Sequence, residues 1–397
     1  MPQDPEITLI GETGGPCSGK TSLTAIAPQK VEDRGRDAYV GKEAATFWIE
    51  QGMRLKKAVH EKRWPAVREC QKDLMRFQIF NEEMLIGCAR REGRPAVIIC
   101  DRPLPDSRAY LPEGKEGDQI YEELLLEATG LTSAKALDRY AAIIKLTTAA
   151  DGAEEFYTLE NNAARDETPE QARYLDRRIE QAYLRHQHLV VIDNSTDFKG
   201  KMHRALNAIY HVLGVPEPLE IERKYRLPHP CMPHFPVPYG KVMIEQVYLR
   251  TDDPSEETRI RKRVHGNGAT YFMTRKKLVK PGVRVETEKM IDWRSYSDLL
   301  EMRDPNCAII EKERISFLYK NQYFELDRYV NLGESLCVLE VELADIGNEV
   351  TLPPFLRVSP ADEVTNDRRY SNYAIACAVV ARDRKKSVMD PNPPLFM

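Results

Sequence analysis

The sequence predicts an α/β unit built on a mostly parallel sheet, followed by an α+β unit whose eight antiparallel strands close into a barrel around a tunnel. Three observations predict it. A short apolar strand runs into G-x-x-x-x-G-K-T at Gly14–Thr21, and apolar strands then alternate with helical stretches as far as residue 212. Beyond residue 218, charged residues recur at every second position in strand after strand.

At 397 residues the chain exceeds what one hydrophobic core holds, so two units are expected, 1–216 and 217–397. Hydrophobic residues make up 42% and charged residues 30%, with a net charge of −4. That balance gives no general basic surface for nucleic acid, and any anion site must be local. Eight cysteines are scattered without C-x-x-C spacing, so neither zinc nor a disulfide framework is indicated. Reduced thiols and a cytoplasmic location are expected. The start, Met1 to Glu6, has no basic and apolar leader, and no run approaches 18 apolar residues.

Ile7–Ile10 reads as a buried strand. In the loop after it, Gly14, Gly15 and Gly19 let backbone N–H groups wrap phosphates at a helix N-terminus, and Ser18 lies inside the same loop. Lys20 is placed to reach β- and γ-phosphates, and the Thr21 hydroxyl to meet Mg²⁺. Residues 42–92 have a helical pattern with wet charged faces, where Arg76 is expected at the surface and Gln78 partly buried. Ala96–Cys100 is a continuous apolar strand that ends at Asp101-Arg102. Acids at such strand ends face the ligand crevice, so Asp101 is a candidate to hold Mg²⁺ through water or to act as a base. Tyr140–Leu146 and Leu189–Asp193 are further strands. Between them a polar stretch, Asn161–Pro169, precedes a charged helix through Tyr183 and reads as a lid, with Arg165 set to close on phosphates. Leu213-Gly214-Val215-Pro216-Glu217-Pro218 ends a helix and stiffens a connection.

From there eight strands are expected near 219–226, 242–250, 257–265, 270–278, 284–291, 309–318, 322–329 and 336–343. Glu220, Glu222 and Lys224 share one strand face by period two. They are followed on equivalent faces by Arg259, Arg261 and Arg263, then Lys276, Glu286 and Glu288, Lys312 and Arg314, Glu325 and Asp327, and Glu340 and Glu342. Apolar residues such as Ile260, Leu326 and Val341 occupy the opposite face, so the expected lumen is polar. Helices near 296–303 and 371–382 are expected to cover the apolar outside.

The first half, from the Walker A loop through Asp101-Arg102-Pro103 to the arginine-bearing lid, resembles the nucleoside-kinase-like P-loop proteins, including the nicotinamide riboside kinase type. The second half resembles the CYTH, or triphosphate tunnel metalloenzyme, family, whose E-x-E-x-K matches Glu220, Glu222 and Lys224. That resemblance implies phosphate contacts from Lys224, Arg259, Arg261, Arg263, Lys276, Lys312 and Arg314. It implies Mg²⁺ or Mn²⁺ on Glu220, Glu222, Glu340 and Glu342, and catalysis carried by Glu220, Glu222, Lys224, Arg261 and Glu342. Arg368 or Arg369 stands where tunnel enzymes carry a late basic residue. The fusion of the two halves resembles the protein family named for the TRP-channel translocation defect in flies, which implies GTP and phosphoinositide binding in membrane-protein trafficking, with a peripheral place at membranes.

The leading expectation is therefore ATP or GTP at the Walker site and metal-dependent hydrolysis of an inorganic or organic triphosphate in the tunnel. A non-catalytic regulator that binds GTP and phosphoinositide headgroups is the alternative; a small-molecule kinase and an adenylyl cyclase are further ones.

Overall fold

The computed structural model describes residues 5–157, 167–214, 222–227, 235–251, 253, 256–266, 268–280, 283–320, 322–331, 336–343, 349–365 and 367–389. At 56, 59, 60, 277–280, 283–287, 342 and 382–389 it describes the backbone alone. Two compact units divide between Pro218 and Leu219.

The first unit contains β1 (Ile7–Thr13), α1 (Lys20–Glu32), β2 (Asp37–Gly41), α2 (Ala44–Glu50), α3 (Leu55–His60), α4 (Trp64–Glu92) and β3 (Ala96–Asp101). It continues through α5 (Gly114–Thr129), α6 (Ser133–Leu137), β4 (Ala142–Leu146), α7 (Pro169–Tyr183), β5 (Leu189–Ile192) and α8 (Phe198–Val212). The five strands pair in the order β2-β3-β1-β4-β5, and every pair is parallel. β1, β3 and β4 are the inner strands, and their apolar runs are buried on both faces, as a sheet covered by helices requires. The main core joins Ile10, Val97, Ile99 and Ile144 to Leu23 of α1 and Ile209 of α8.

Helix ends follow local chemistry. Gly93 and Gly130 stop α4 and α5 in the left-handed conformation, and Thr168 with Gln171 forms a capping box at the start of α7. One element had no counterpart in the sequence reading. The helical stretch after residue 42 is preceded by the edge strand β2, whose sequence Asp-Ala-Tyr-Val-Gly is too short and mixed to show a strand period.

The second unit contains β6 (Glu222–Leu227), β7 (Tyr239–Tyr248), β8 (Glu256–His265), β9 (Gly268–Lys280), β10 (Val283–Ile291) and α9 (Trp293–Leu300). β11 (Ile310–Tyr319), β12 (Gln322–Tyr329), β13 (Cys337–Glu342) and α10 (Asn372–Met389) complete it. All eight strands join one sheet in the order β10-β9-β8-β7-β11-β12-β13-β6, and each pairing with a described register is antiparallel. β6 and β10 stand at the ends of that order, so β6 neighbours β13 through a direct ladder. Segment 363–365 runs along the free edge of β6: Val364 N donates to Lys224 O at 2.8 Å.

The apolar outer face has two covers. α9 packs Tyr296, Leu299 and Leu300 onto Val247, Ile260 and Met273. Residues 350–358, with Phe235 and Val237, cover Ile315, Phe317, Phe324, Leu326, Leu339 and Val341. α10 corrects the expectation that it would share this work. Its Ile375 and Ala376 pack against Tyr248, Ile310, Tyr329 and Val338, which by period two lie on the same face as Arg259, Lys312, Asp327 and Glu340. α10 thus caps the charged face at one end of the strands. It is also longer than its apolar pattern suggested, reaching residue 389.

Phe324 is fully buried and stacks on Phe317 with ring centroids 5.5 Å apart. Phe324→Ala should cost the second unit about 3 to 5 kcal/mol. Hydrogen exchange on the full chain checks this: amides of β11–β13 should lose protection, and those of β1, β3 and β4 should keep theirs.

Candidate functional site

In the first unit β1 ends where the phosphate-type loop begins, and α1 starts at Lys20 with Gly19 as its left-handed N-cap. Gly14 is required by close approach: a methyl group on it would lie 2.1 Å from Leu146 O. The first turn of α1 carries no acid to occupy its free N–H groups, so they stay available to an anion. Lys20 is buried, and its Nζ donates to Gly14 O at 2.8 Å, Gly15 O at 3.2 Å and Ser18 Oγ at 3.4 Å. Burial, reinforced by the Arg102 charge, lowers this ammonium to about 8. Gly15 N donates to Asp176 Oδ1 at 2.7 Å, which ties α7 to the loop, while Asp176 Oδ2 accepts from Lys145 Nζ at 2.6 Å. Thr21 is exposed in the first turn of α1.

Asp101 sits at the end of β3, in register with Glu12 of β1. Glu12 is almost wholly buried, and its Oε2 accepts from Thr24 Oγ1 at 2.8 Å. Glu12 Oε1 and Asp101 Oδ1 are both buried without a hydrogen-bond partner. Burial, followed by the charge of Asp101, pushes the Glu12 carboxyl well up; burial raises Asp101 to about 6 against the pull of Lys20. Two orphaned carboxylate oxygens on register-paired residues fit a hard divalent cation by donor type. Arg102 turns away from them, to Glu43 at 2.7 Å and Asp106 at 3.1 Å. Asp106 also accepts from Thr13 Oγ1 at 2.6 Å and Tyr183 OH at 2.7 Å.

On the other side, Lys201 Nζ donates to Thr147 O at 2.6 Å and Asn194 Oδ1 at 2.7 Å, joining the segments that follow β4 and β5. Arg76 faces solvent beside Asp73, and buried Gln78 donates to Glu82 at 3.0 Å. Arg165 lies outside the described residues. Sequence reasoning missed Glu12, Glu43, Asp106, Asp176 and Lys201. Glu12, a lone acid in an apolar strand, carried a visible signal.

In the second unit the charged face is the inner one. Arg261, Arg263, Lys312, Arg314 and Asp327 are buried. Arg314 grips Asp327 as a fork, Nε to Oδ1 at 2.7 Å and Nη2 to Oδ2 at 2.7 Å. It also pairs with Glu325 and, at 3.3 Å, with Glu340. Lys312 makes a second ion pair to Asp327. Lys224 Nζ bridges Glu340 at 2.7 Å and Glu222 at 2.9 Å. Arg261 pairs with Glu288, which also accepts from Thr274 Oγ1 at 2.7 Å. Arg259 stands opposite Tyr248, and Arg263 lies over the Phe272 ring.

These contacts set the titrations. Burial opposes the charge of Asp327, yet Arg314 and Lys312 hold its carboxyl well below the ordinary range. Burial likewise works against Lys224, but Glu340 and Glu222 hold its ammonium up. Arg261 behaves differently. Burial lowers it, Glu288 offsets part of that, and the neighbouring guanidiniums of Arg259, Arg314 and Arg263 lower it further.

The β13–β6 ladder sets Glu342 opposite Glu222 and Glu340 opposite Lys224, and β12–β13 sets Glu325 opposite Glu340. Glu220 and the side chains of Glu286 and Glu342 lie outside the description. Among the described residues no three His, Cys, Asp or Glu side chains cluster as a metal site. The inner acids still fit a hard cation by donor type, and Glu325 Oε1 is a buried acceptor without a partner. Arg368, with Glu363, Val364, Thr365 and Asp367, lines a cavity of about 630 Å³, whereas Arg369 is exposed and paired to Asp367 at 2.6 Å. Sequence reasoning missed Thr274, Ser316, Tyr323, Tyr329 and Tyr248 on the inner face. The same period of two that selected the charges would have found them.

A five-stranded parallel sheet with a Walker-type loop, followed by an eight-stranded antiparallel sheet with a charged inner face, defines a protein that binds nucleotide or polyphosphate. The AAA domain family matches residues 10–201. The inorganic triphosphatase of Nitrosomonas europaea is 34% identical over 142 residues, 35% of this chain and 86% of that protein. A crystal structure of an inorganic triphosphatase is 32% identical, covering 40% of this chain and 95% of its own, with a TM-score of 0.30. A protein of Pyrococcus horikoshii is 20% identical over 36% of this chain and 94% of its own, with a TM-score of 0.27. The chain belongs to the inorganic triphosphatase family, and it carries an AAA-type domain in its N-terminal region.

Asp101 generates a prediction with a definite sign. Its carboxyl titrates near 3.8 when unfolded and about 6 when folded, so between those values the native state holds the extra proton and stability falls as pH rises. Asp101→Asn should therefore stabilise the first unit by on the order of 2 kcal/mol at about pH 7 and have little effect at about pH 4. Thermal unfolding at the two pH values reads this out. The same variant should lose the Mg²⁺-dependent part of nucleotide affinity.

Proposed function

We propose that the second unit hydrolyses an inorganic or organic triphosphate with Mg²⁺ or Mn²⁺, and that the first binds ATP or GTP as a separable module, 1–216 against 217–397. The burial of Arg261, Arg263, Lys312 and Arg314 together on the inner face carries the reading. Buried cations set side by side on one face are suited to receive a polyanion. A triphosphate carries about four charges, each worth roughly 4 kcal/mol per close pair at an effective dielectric near 20, before desolvation. The family relation to an inorganic triphosphatase supports the same substrate class.

Arg261, Arg263, Lys312 and Arg314 would hold the phosphate chain, with Arg259, Lys276 and Arg368 toward its ends. Lys224 orients the Glu222 and Glu340 carboxylates by bridging them. A divalent ion held by Glu222 and Glu340, with Glu220 and Glu342 as further ligands, would polarise phosphoryl oxygens and lower the pKa of an attacking water. α10 closes one end and limits water there. In the first unit, Lys20 would leave the Gly14 and Gly15 carbonyls for β- and γ-phosphates; Thr21 and Asp101 would meet Mg²⁺, and Arg165 would close from the lid.

One observation favours a second reading, a phosphate-headgroup or GTP-binding regulator without turnover: the described inner acids are committed to ion pairs. Hydrolysis by the full chain separates the two. With tripolyphosphate, ATP and GTP as substrates, metal-dependent phosphate release should survive Lys20→Ala. It should fall about a hundred-fold or more in Glu222→Gln, while Arg261→Ala should mainly raise KM. No release with either metal, together with binding of phosphoinositide headgroups, would leave the regulator.

A further inference from the structure

Cys307 and Cys377 are both free thiols, and their Sγ atoms lie 3.1 Å apart across 70 residues of chain. That is about 1 Å longer than a covalent S–S bond. The approach is imposed by backbone on both sides. The turn that carries Cys307 is pinned by Asp304 N to Tyr248 O at 2.8 Å and by Cys307 N to Asp304 O at 3.1 Å. Ala308 N then donates to Ala376 O of α10 at 3.0 Å, setting the two cysteine-bearing segments side by side. Tyr373, one turn before Cys377, packs edge-on against Tyr248 at 5.2 Å. Both thiols belong to the cluster by which α10 caps the inner face.

We propose that Cys307 and Cys377 form an intramolecular disulfide site, closed by a low-molecular-weight disulfide such as oxidised glutathione, that fastens α10 over the end of the charged face. Cys377 is the more accessible thiol and meets the oxidant first. Its thiolate attacks one sulfur of oxidised glutathione, expels one glutathione thiolate and leaves a mixed disulfide. Cys307 then loses its proton to solvent and attacks the Cys377 sulfur, expelling the second glutathione. Two protein thiols are oxidised, one glutathione disulfide is reduced, and two glutathione thiols are released. Burial, together with Cys377 itself and the Asp304 carboxylate, raises the Cys307 thiol, so it is slow to meet an oxidant from solution and reacts only through its closeness to the Cys377 sulfur.

The bond would act on the inner face through Asn372, the first residue of α10. Its Oδ1 accepts from Tyr329 OH at 2.6 Å and lies 3.5 Å from Lys312 Nζ. Fastening Cys377 one and a half turns further on holds that residue in place.

The test uses the full chain before and after oxidised glutathione, with peptide mapping under non-reducing conditions and hydrogen exchange of α10. The expected result is a 307–377 cross-linked peptide pair and exchange of the first turns of α10 slowed about ten-fold or more. Cys377→Ser and Cys307→Ser should each abolish both changes, and a reductant should reverse them. Recovery of the two cysteines as free thiols or as separate glutathione adducts would overturn the proposal. So would equal slowing of exchange in the serine variants.

Discussion

The forked ion pair between Arg314 and Asp327 is the interaction on which the second unit depends. Both side chains are buried, and taking them from water costs more than an ordinary pair returns, so the arrangement persists only with every donor matched. Asp327 is matched by two cations at once, and Arg314 by three carboxylates. The alternation of strands puts each of these groups on one face and leaves Ile315, Leu326, Leu339 and Val341 on the other, where residues 350–358 and the Phe235 region seal them. Reversing the register of β12 by one residue would bury Leu326 among guanidiniums and expose Asp327 to the apolar cover, so the polar inner face and the dry outer core specify one another.

The first unit solves a related problem with backbone. Its candidate anion site is a loop of N–H groups, and the buried ammonium beside it, Lys20, is held by the loop's own carbonyls. One loop N–H, that of Gly15, is already held by the Asp176 carboxylate at 2.7 Å, so a phosphate taking that donor would displace it. The acids nearby, Glu12 and Asp101, instead keep orphaned oxygens in a buried setting. A cation bound there would relieve that burial, the direction in which binding sites commonly trade stability for function.

Most of the fold was legible because two periods dominate the sequence. Apolar runs at 96–100 and 142–146 marked buried parallel strands, and charges on one face marked seven of the eight strands of the second sheet, β7 being the exception; all eight lie within a few residues of their expected places. What escaped had no period to reveal it. β2 is a five-residue edge strand; the strand order, with β7 beside β11 and β6 beside β13, depends on long-range pairing. The site was legible where charge appears in an apolar or alternating context. It was illegible where function rests on a partner far along the chain, as Asp176 does in holding Gly15 from 161 residues away. α10 was misplaced for a related reason: an apolar helix face announces that it must be covered, but not which face of a sheet it will meet.

The two sites differ in what an incoming phosphate must undo. In the first, Lys20 would exchange neutral carbonyls for phosphate oxygens, and the local charge balance would improve. In the second, Lys224, Arg261, Lys312 and Arg314 are already paired, so a polyanion would compete with Glu222, Glu288, Asp327 and Glu340 for the same donors. Each carboxylate released from a cation would be left charged in a buried setting, at a cost of several kcal/mol. Entry of a triphosphate is favourable only if those carboxylates gain another positive partner or move to water. Arg261 has a single described carboxylate partner, Glu288, and burial and then its cationic neighbours lower it. A polyanion would meet the least competition at the Arg259–Arg263 strand, while the β6–β13 ladder, with Glu222 opposite Glu342, is where released or unpaired carboxylates would need a divalent cation.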